Sequence, residues 1–206
     1  MNHSFPEIGC RHPAKFVINS IKAAFEENVS VWFAAYRLSP PGSYDYGTNN
    51  ILSNIPLVVH QKTDLQEVRE YLSLRKIVSN REIGVCSGIY VHTKNNPREL
   101  HIPMIDFIGR PSPSRLNEIC GDLQTYLGDN PKYKIYDSGK SYHAYFATFI
   151  DRRKFNSFMG RLSVYPEVDR SWARIQADSL SGAVLRWSAL TGEKDLIEEV
   201  RFSAHE

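Results

Sequence analysis

An α+β fold with a ferredoxin-like sheet is what this chain predicts, and three observations carry it. Residues 132–151, KYKIYDSGKSYHAYFATFID, place β-branched and aromatic limbs on either side of Asp137-Ser138-Gly139-Lys140, the pattern of a hairpin. One helical stripe ends just before it at Gly128, and another begins just after it at Asp151. The apolar run 100–109 comes first, so strand, helix, hairpin and helix follow in the order of half a ferredoxin-like sandwich.

From the N-terminus, residues 13–27 (PAKFVINSIKAAFEE) put Val17, Ile21, Ala24 and Phe25 at helical spacing, with Pro13 suited to a first turn. Residues 29–38 are aromatic and β-branched enough for a strand. The turn-rich SPPGSYDYGTNN follows, and Tyr36, Tyr44 and Tyr46 around it suit either base stacking or ordinary packing. A short strand at 55–60 precedes Thr63-Asp64-Leu65-Gln66, a capping box that opens a helix to about Val78. Residues 82–93 (EIGVCSGIYVHT) read as a strand bent near Gly88. Within 100–109 (LHIPMIDFIG), alternation sets Leu100, Ile102, Met104, Asp106 and Ile108 on one face. Ser112-Pro113 supply the N-cap and first turn of a helix whose stripe is Leu116, Ile119, Cys120, Leu123 and Leu127. Past the hairpin, Asp151 caps a helix that buries Phe155, Phe158, Met159 and Leu162. Residues 168–180 form another helix, and 183–189 (AVLRWSA) close as a strand.

A chain of 206 residues can bury a sizeable interior. Residues 1–95 read as the N-terminal α/β part of one compact unit, and 96–206 as its core with an acidic C-terminal tail. Cys10, Cys86 and Cys120 form no CxxC pair, which argues against a zinc ribbon or a disulfide framework and suits a reducing compartment. No apolar run reaches the length of a membrane span, and MNHSFPEIG lacks the basic-then-apolar pattern of a signal peptide. The expectation is a cytoplasmic protein without a membrane partner. Residues 130–187 hold ten Lys or Arg against five Asp or Glu, whereas 188–206 hold two against five, so an anionic partner is expected on the basic part.

The hairpin turn has the residues of a phosphate cradle. Gly139 permits a positive φ, and Ser138, Lys140 and Ser141 add hydroxyls and a charge beside exposed amide groups. Period-two geometry sets Ser141, His143 and Tyr145 on one face of the second limb. Asp106, a carboxylate in an apolar strand, needs a cation, a metal or a hydrogen-bond network to offset its burial. The sequence holds no GxxxxGK[ST] loop, no His-x-His pair and no Gly-x-Ser-x-Gly elbow.

The segment Tyr136-Asp-Ser-Gly-Lys-Ser-Tyr-His143 resembles the Ser-Gly-x-x-x-His hairpin of the archaeo-eukaryotic primase superfamily, whose members include replicative primases and plasmid primase-polymerases. The resemblance covers about residues 100–189 and implies a primase-polymerase-like core with an RRM-like sheet. It further implies that His143, with Ser138, Gly139, Lys140 and Ser141, meets the triphosphate of a nucleotide. Met104-Ile-Asp106-Phe-Ile108 is similar in position to the family's Asp-x-Asp, with Ile108 at the second acid. Pro166-Glu-Val-Asp169, followed by Arg174 and Arg186, resembles the region of the last acid, although Asp169 also sits where a helix N-cap belongs. Family members transfer a nucleotidyl group by two-metal catalysis on oxygen donors, so Asp106 and Asp169 would hold one Mg²⁺ or Mn²⁺ at most. The implied function is binding of a nucleoside triphosphate, DNA or RNA by a catalytically degenerate module. The alternatives are an active nucleotidyltransferase completed by Asp137, Glu167 or a substrate phosphate, and an interaction protein of another class.

Overall fold

The computed structural model describes residues 13–36, 51–63, 67–68, 70, 82–94, 96–138, 141–178, 183–186 and 198–199. Along the chain its elements are α1 (Pro13–Ala24), β1 (Val29–Tyr36), β2 (Ile51–Val59), β3 (Glu82–Val91), β4 (Arg98–His101), β5 (Met104–Asp106), α2 (Pro113–Leu127), β6 (Tyr133–Asp137), β7 (Tyr142–Phe146), α3 (Arg152–Leu162), α4 (Arg170–Ala177), β8 (Val184–Arg186) and β9 (Glu198–Glu199). The fold is α+β, with two antiparallel sheets. One has the order β2-β1-β3-β4 with β8 also on β3, and the other β5-β7-β6-β9. Residues on both sides of position 95 therefore share the first sheet.

Strand β3 organises that sheet because it offers one edge to two strands, Gly88 to Val91 pairing with β4 and Gly84 to Cys86 with β8. Between these halves the register against β1 jumps from Val31↔Ile89 to Phe33↔Val85. The bend expected near Gly88 is thus a bulge, which kinks a strand and frees backbone groups for other partners. Ser87 uses them: its N–H donates to the Ala183 carbonyl (2.6 Å), and its own carbonyl accepts from the Ile102 N–H (2.8 Å).

The run 100–109, expected as one strand, is two strands in different sheets. β4 ends at His101, Ile102 and Pro103 carry the chain across, and β5 begins at Met104. Proline has no N–H to continue a ladder, so Pro103 marks the break. Its carbonyl accepts from the Phe146 N–H (3.1 Å), which starts the second sheet. There β7 pairs antiparallel with both β5 and β6. β5 and β6 consequently run parallel, joined by α2 in a split βαβ unit.

Helices α2 and α3 have the stripes their periodicity predicts: Leu116, Ile119, Cys120, Leu123 and Leu127 on the first, and Phe155, Phe158, Met159 and Leu162 on the second. Ser112 Oγ caps α2 by accepting from the Arg115 N–H, and Asp151 caps α3 from the Lys154 N–H. Gly128 follows α2 at φ 81°, a conformation that favours glycine. α1 ends at Ala24 rather than 27. Its buried side is Ala14, Val17, Ile18 and Ile21, the i, i+3, i+4, i+7 set, and Ala24 is exposed.

β2 begins at Ile51, earlier than the expected 55. The helix expected from Thr63 falls mostly outside the described residues, with Glu67, Val68 and Glu70 helical. Tyr44, Tyr46 and residues 187–189 also lie outside them. A continuous apolar core joins Phe33, Val85 and Ile89 of the first sheet to Ile105, Ala144 and Phe146 of the second and to Leu123 and Phe158 of the helices. Each of the Val, Ile, Leu and Phe side chains among them contributes roughly 1.5–3 kcal/mol. Among the described residues no helix is long and apolar enough to cross a membrane.

Candidate functional site

Register builds the site. Asp106 on β5 lies opposite His143 on β7, and His143 lies opposite Tyr136 on β6, so one rung carries all three. Residues opposite one another in antiparallel strands share a face, and β9 extends the rung by placing Glu199 opposite Tyr136. His143 Nε2 stands 3.4 Å from Asp106 Oδ1. His143 is only 5 % exposed, and its Nδ1 is buried with no hydrogen-bond partner among the described residues. Asp106 therefore stands beside this imidazole, at a separation longer than an ordinary hydrogen bond.

Beyond Asp106 the Phe107 N–H still donates to the Tyr142 carbonyl of β7 (3.0 Å), and the chain also runs beside residues 167–169. Phe107 bridges to Val168, the Ile108 N–H donates to the Glu167 carbonyl (2.7 Å), and the Asp169 N–H donates to the Asp106 carbonyl (3.0 Å). Asp106, His143 and Asp169, far apart in sequence, thus meet at one end of the second sheet. The Asp169 side chain caps α4, Oδ1 accepting from the Trp172 N–H at 2.9 Å. Ile108 is 53 % exposed and supplies an apolar group at that rim.

The hairpin end is closed by the Ser138 N–H donating to the Ser141 carbonyl (2.9 Å), while Ser141 Oγ donates to the Phe107 carbonyl. Gly139 and Lys140 lie outside the described residues. Arg174 is exposed on α4. Arg186 pairs with Gly84 in the first sheet, not with the hairpin.

Two arginines that the motifs did not single out complete the surroundings. Arg110 Nη2 donates to both carboxylate oxygens of Asp137 at 3.0 Å, and its guanidinium lies 5.5 Å from the centre of the Tyr142 ring. Arg115 donates to Glu167 at 2.7 and 3.2 Å and pairs with Glu118 at 2.9 Å. Its hydrogen bonds hold the Glu167 carboxyl below the ordinary carboxylate range. The local signals were the glycine before Arg110, which takes φ 63° in the structure, and the place of Arg115 in the first turn of α2.

Of these carboxylates Asp169 is a cap and Asp137 and Glu167 lie under guanidinium groups, while Asp106 stands beside His143. Among the described residues no group of three or more His, Cys, Asp or Glu could hold a metal ion. The described side chains do not assemble the several oxygen ligands that a pair of cations requires.

A family model described as archaeo-eukaryotic primase 1D-like matches residues 61–198. No curated protein and no solved structure matches the chain.

Proposed function

The chain belongs to the archaeo-eukaryotic primase 1D-like family, and on that premise we propose that it binds a nucleoside triphosphate or nucleic-acid phosphate at the β6–β7 turn without polymerising nucleotides. Ser138, Gly139, Lys140 and Ser141 cradle the phosphate through hydroxyls, a charge and turn N–H groups. His143 stands behind them on the face that also carries Asp106. Arg174, exposed on α4, supplies a further phosphate contact.

The observation that carries the reading is the condition of the acids around Asp106. Two-cation nucleotidyl transfer needs hard oxygen donors around both ions. Ile108 occupies the second-acid position with an alkyl group, Glu167, which could have replaced it, is held by Arg115 at 2.7 Å, and Asp137 lies on the strand face opposite Asp106. Asp106 and Asp169 together offer donors for one Mg²⁺ or Mn²⁺ at most.

Calorimetric titration with ATP, paired with a primer-extension assay in Mg²⁺ and in Mn²⁺, tests this. Binding that Ser138→Ala and Lys140→Ala weaken, without extension, is the expected result. Robust extension abolished by Asp106→Ala would show an active nucleotidyltransferase instead.

A further inference from the structure

We propose that Arg110 is a phosphate-binding residue held in reserve by Asp137, and that an anion arriving at the end of the β6–β7 hairpin takes the guanidinium from that carboxylate. The inference rests on the phosphate-binding reading of the turn and names a contact and a competition that the family motifs do not include.

The geometry is specific. Asp137 and Tyr142 face each other on the last rung before the turn, and Arg110 contacts both, its Nη2 on the two oxygens of Asp137 and its plane over the Tyr142 ring. Ser138 and Ser141 follow and precede that rung directly, so the guanidinium stands at the base of the turn. Alternation puts Asp137 and Tyr142 on the face opposite His143, and Arg110 therefore approaches an anion at the turn from the side that His143 leaves open.

The Arg110–Asp137 pair is weakly held. Its side chains are 51 % and 32 % exposed, and ion pairs in that setting contribute little because solvent screens them. One nitrogen carries the whole pair, so it lacks the two parallel bonds of an Arg–carboxylate fork. A polyphosphate brings more charge and more acceptor oxygens than a single carboxylate, and guanidinium matches phosphate in a two-pronged geometry. The Tyr142 ring keeps the guanidinium over the hairpin as it changes partner. Asp137 thus occupies the cation in the free protein and lowers the net affinity for the anion.

Binding of inorganic tripolyphosphate and of an unphosphorylated single-stranded oligonucleotide to the full chain, measured across a salt series, separates the two phosphate sources. Asp137→Asn is expected to tighten binding several-fold. Arg110→Gln is expected to weaken it about tenfold, the size of one charge-assisted hydrogen bond. For the oligonucleotide, Arg110→Gln should also lower the log–log salt slope by about 0.7. The double variant should match Arg110→Gln alone, because the proposed effect of Asp137 on the anion is its hold on Arg110. Tightening by Asp137→Asn that persists in the Arg110→Gln background would reduce Asp137 to general repulsion and overturn the proposal. So would unchanged affinity in Arg110→Gln when the wild type binds. If neither the wild type nor Asp137→Asn binds either probe, the phosphate-binding reading falls, and this inference with it.

Discussion

His101 is fully buried, its ring stacked on Phe155 at 4.3 Å with 18° between the planes. Nδ1 lies 3.3 Å from Ser87 Oγ, while Nε2 is 3.5 Å from Glu99 Oε1, too long and poorly directed to count as a hydrogen bond. Burial, and after it the positive Arg152, push the imidazole down to about 4 from 6.5, against a smaller opposing pull from Asp151. A depressed folded value means that the fold favours the neutral ring. Below 6.5 the unfolded chain takes up a proton that the folded chain refuses, so the contribution is complete above 6.5, shrinks as pH falls, and levels off below about 4. Its full size is roughly 3 kcal/mol. Urea denaturation at a series of pH values should show wild-type stability declining more steeply through that window than the stability of His101→Gln. Equal slopes would mean that the ring titrates alike in both states. At this scale the sequence stated Asp106's need for a partner, because a lone carboxylate among apolar residues is unfavourable wherever it packs. It could not name His143, since that depends on the register between two strands separated by a helix.

Elements were legible in proportion to how local their causes are. The stripes of α2 and α3 follow from a periodicity within fifteen and eleven residues, together with their caps Ser112 and Asp151. Sheet membership is not local: Leu100, Ile102, Met104 and Asp106 alternate in the same way whether or not the chain changes sheets, and only Pro103 hinted at the break. β9 is two glutamates whose strand character comes from pairing with Tyr136 and Asp137. Asp169 shows both kinds of cause in one residue. Its cap on α4 is a local effect, and substitution by alanine should cost about 1 kcal/mol, whereas Asn caps nearly as well as Asp. Thermal melts of Asp169→Ala and Asp169→Asn are expected to place only the first below the wild type. Equal losses would assign the contribution to the carboxylate's charge at the N-terminus of α4 instead.

At the scale of the whole molecule, Ser87 on the β3 bulge holds two segments that lead to different sheets. Ser87 Oγ accepts from the Ala183 N–H at 2.8 Å and meets His101 Nδ1, while its backbone bonds Ala183 and Ile102. Ala183 leads into β8, which bears Arg186, and Ile102 leads into β5, which bears Asp106. The segments that lead into β8 and into β5 are therefore held against the same bulge of β3. Ser87→Ala leaves the backbone bonds in place but removes the acceptor of a fully buried N–H, at a cost of about 1–3 kcal/mol. For a chain of this size each kcal/mol lowers Tm by roughly 2–4 °C, so the loss should be readable by calorimetry. Because the apolar core is continuous across both sheets, the variant should still unfold in one transition at a lower temperature. Hydrogen exchange should meanwhile rise first at Ala183 and in β8, where the lost bond was made. An unchanged Tm would mean that the Ala183 N–H finds another acceptor, and two resolved transitions would show that the sheets are separate folding units despite their shared core.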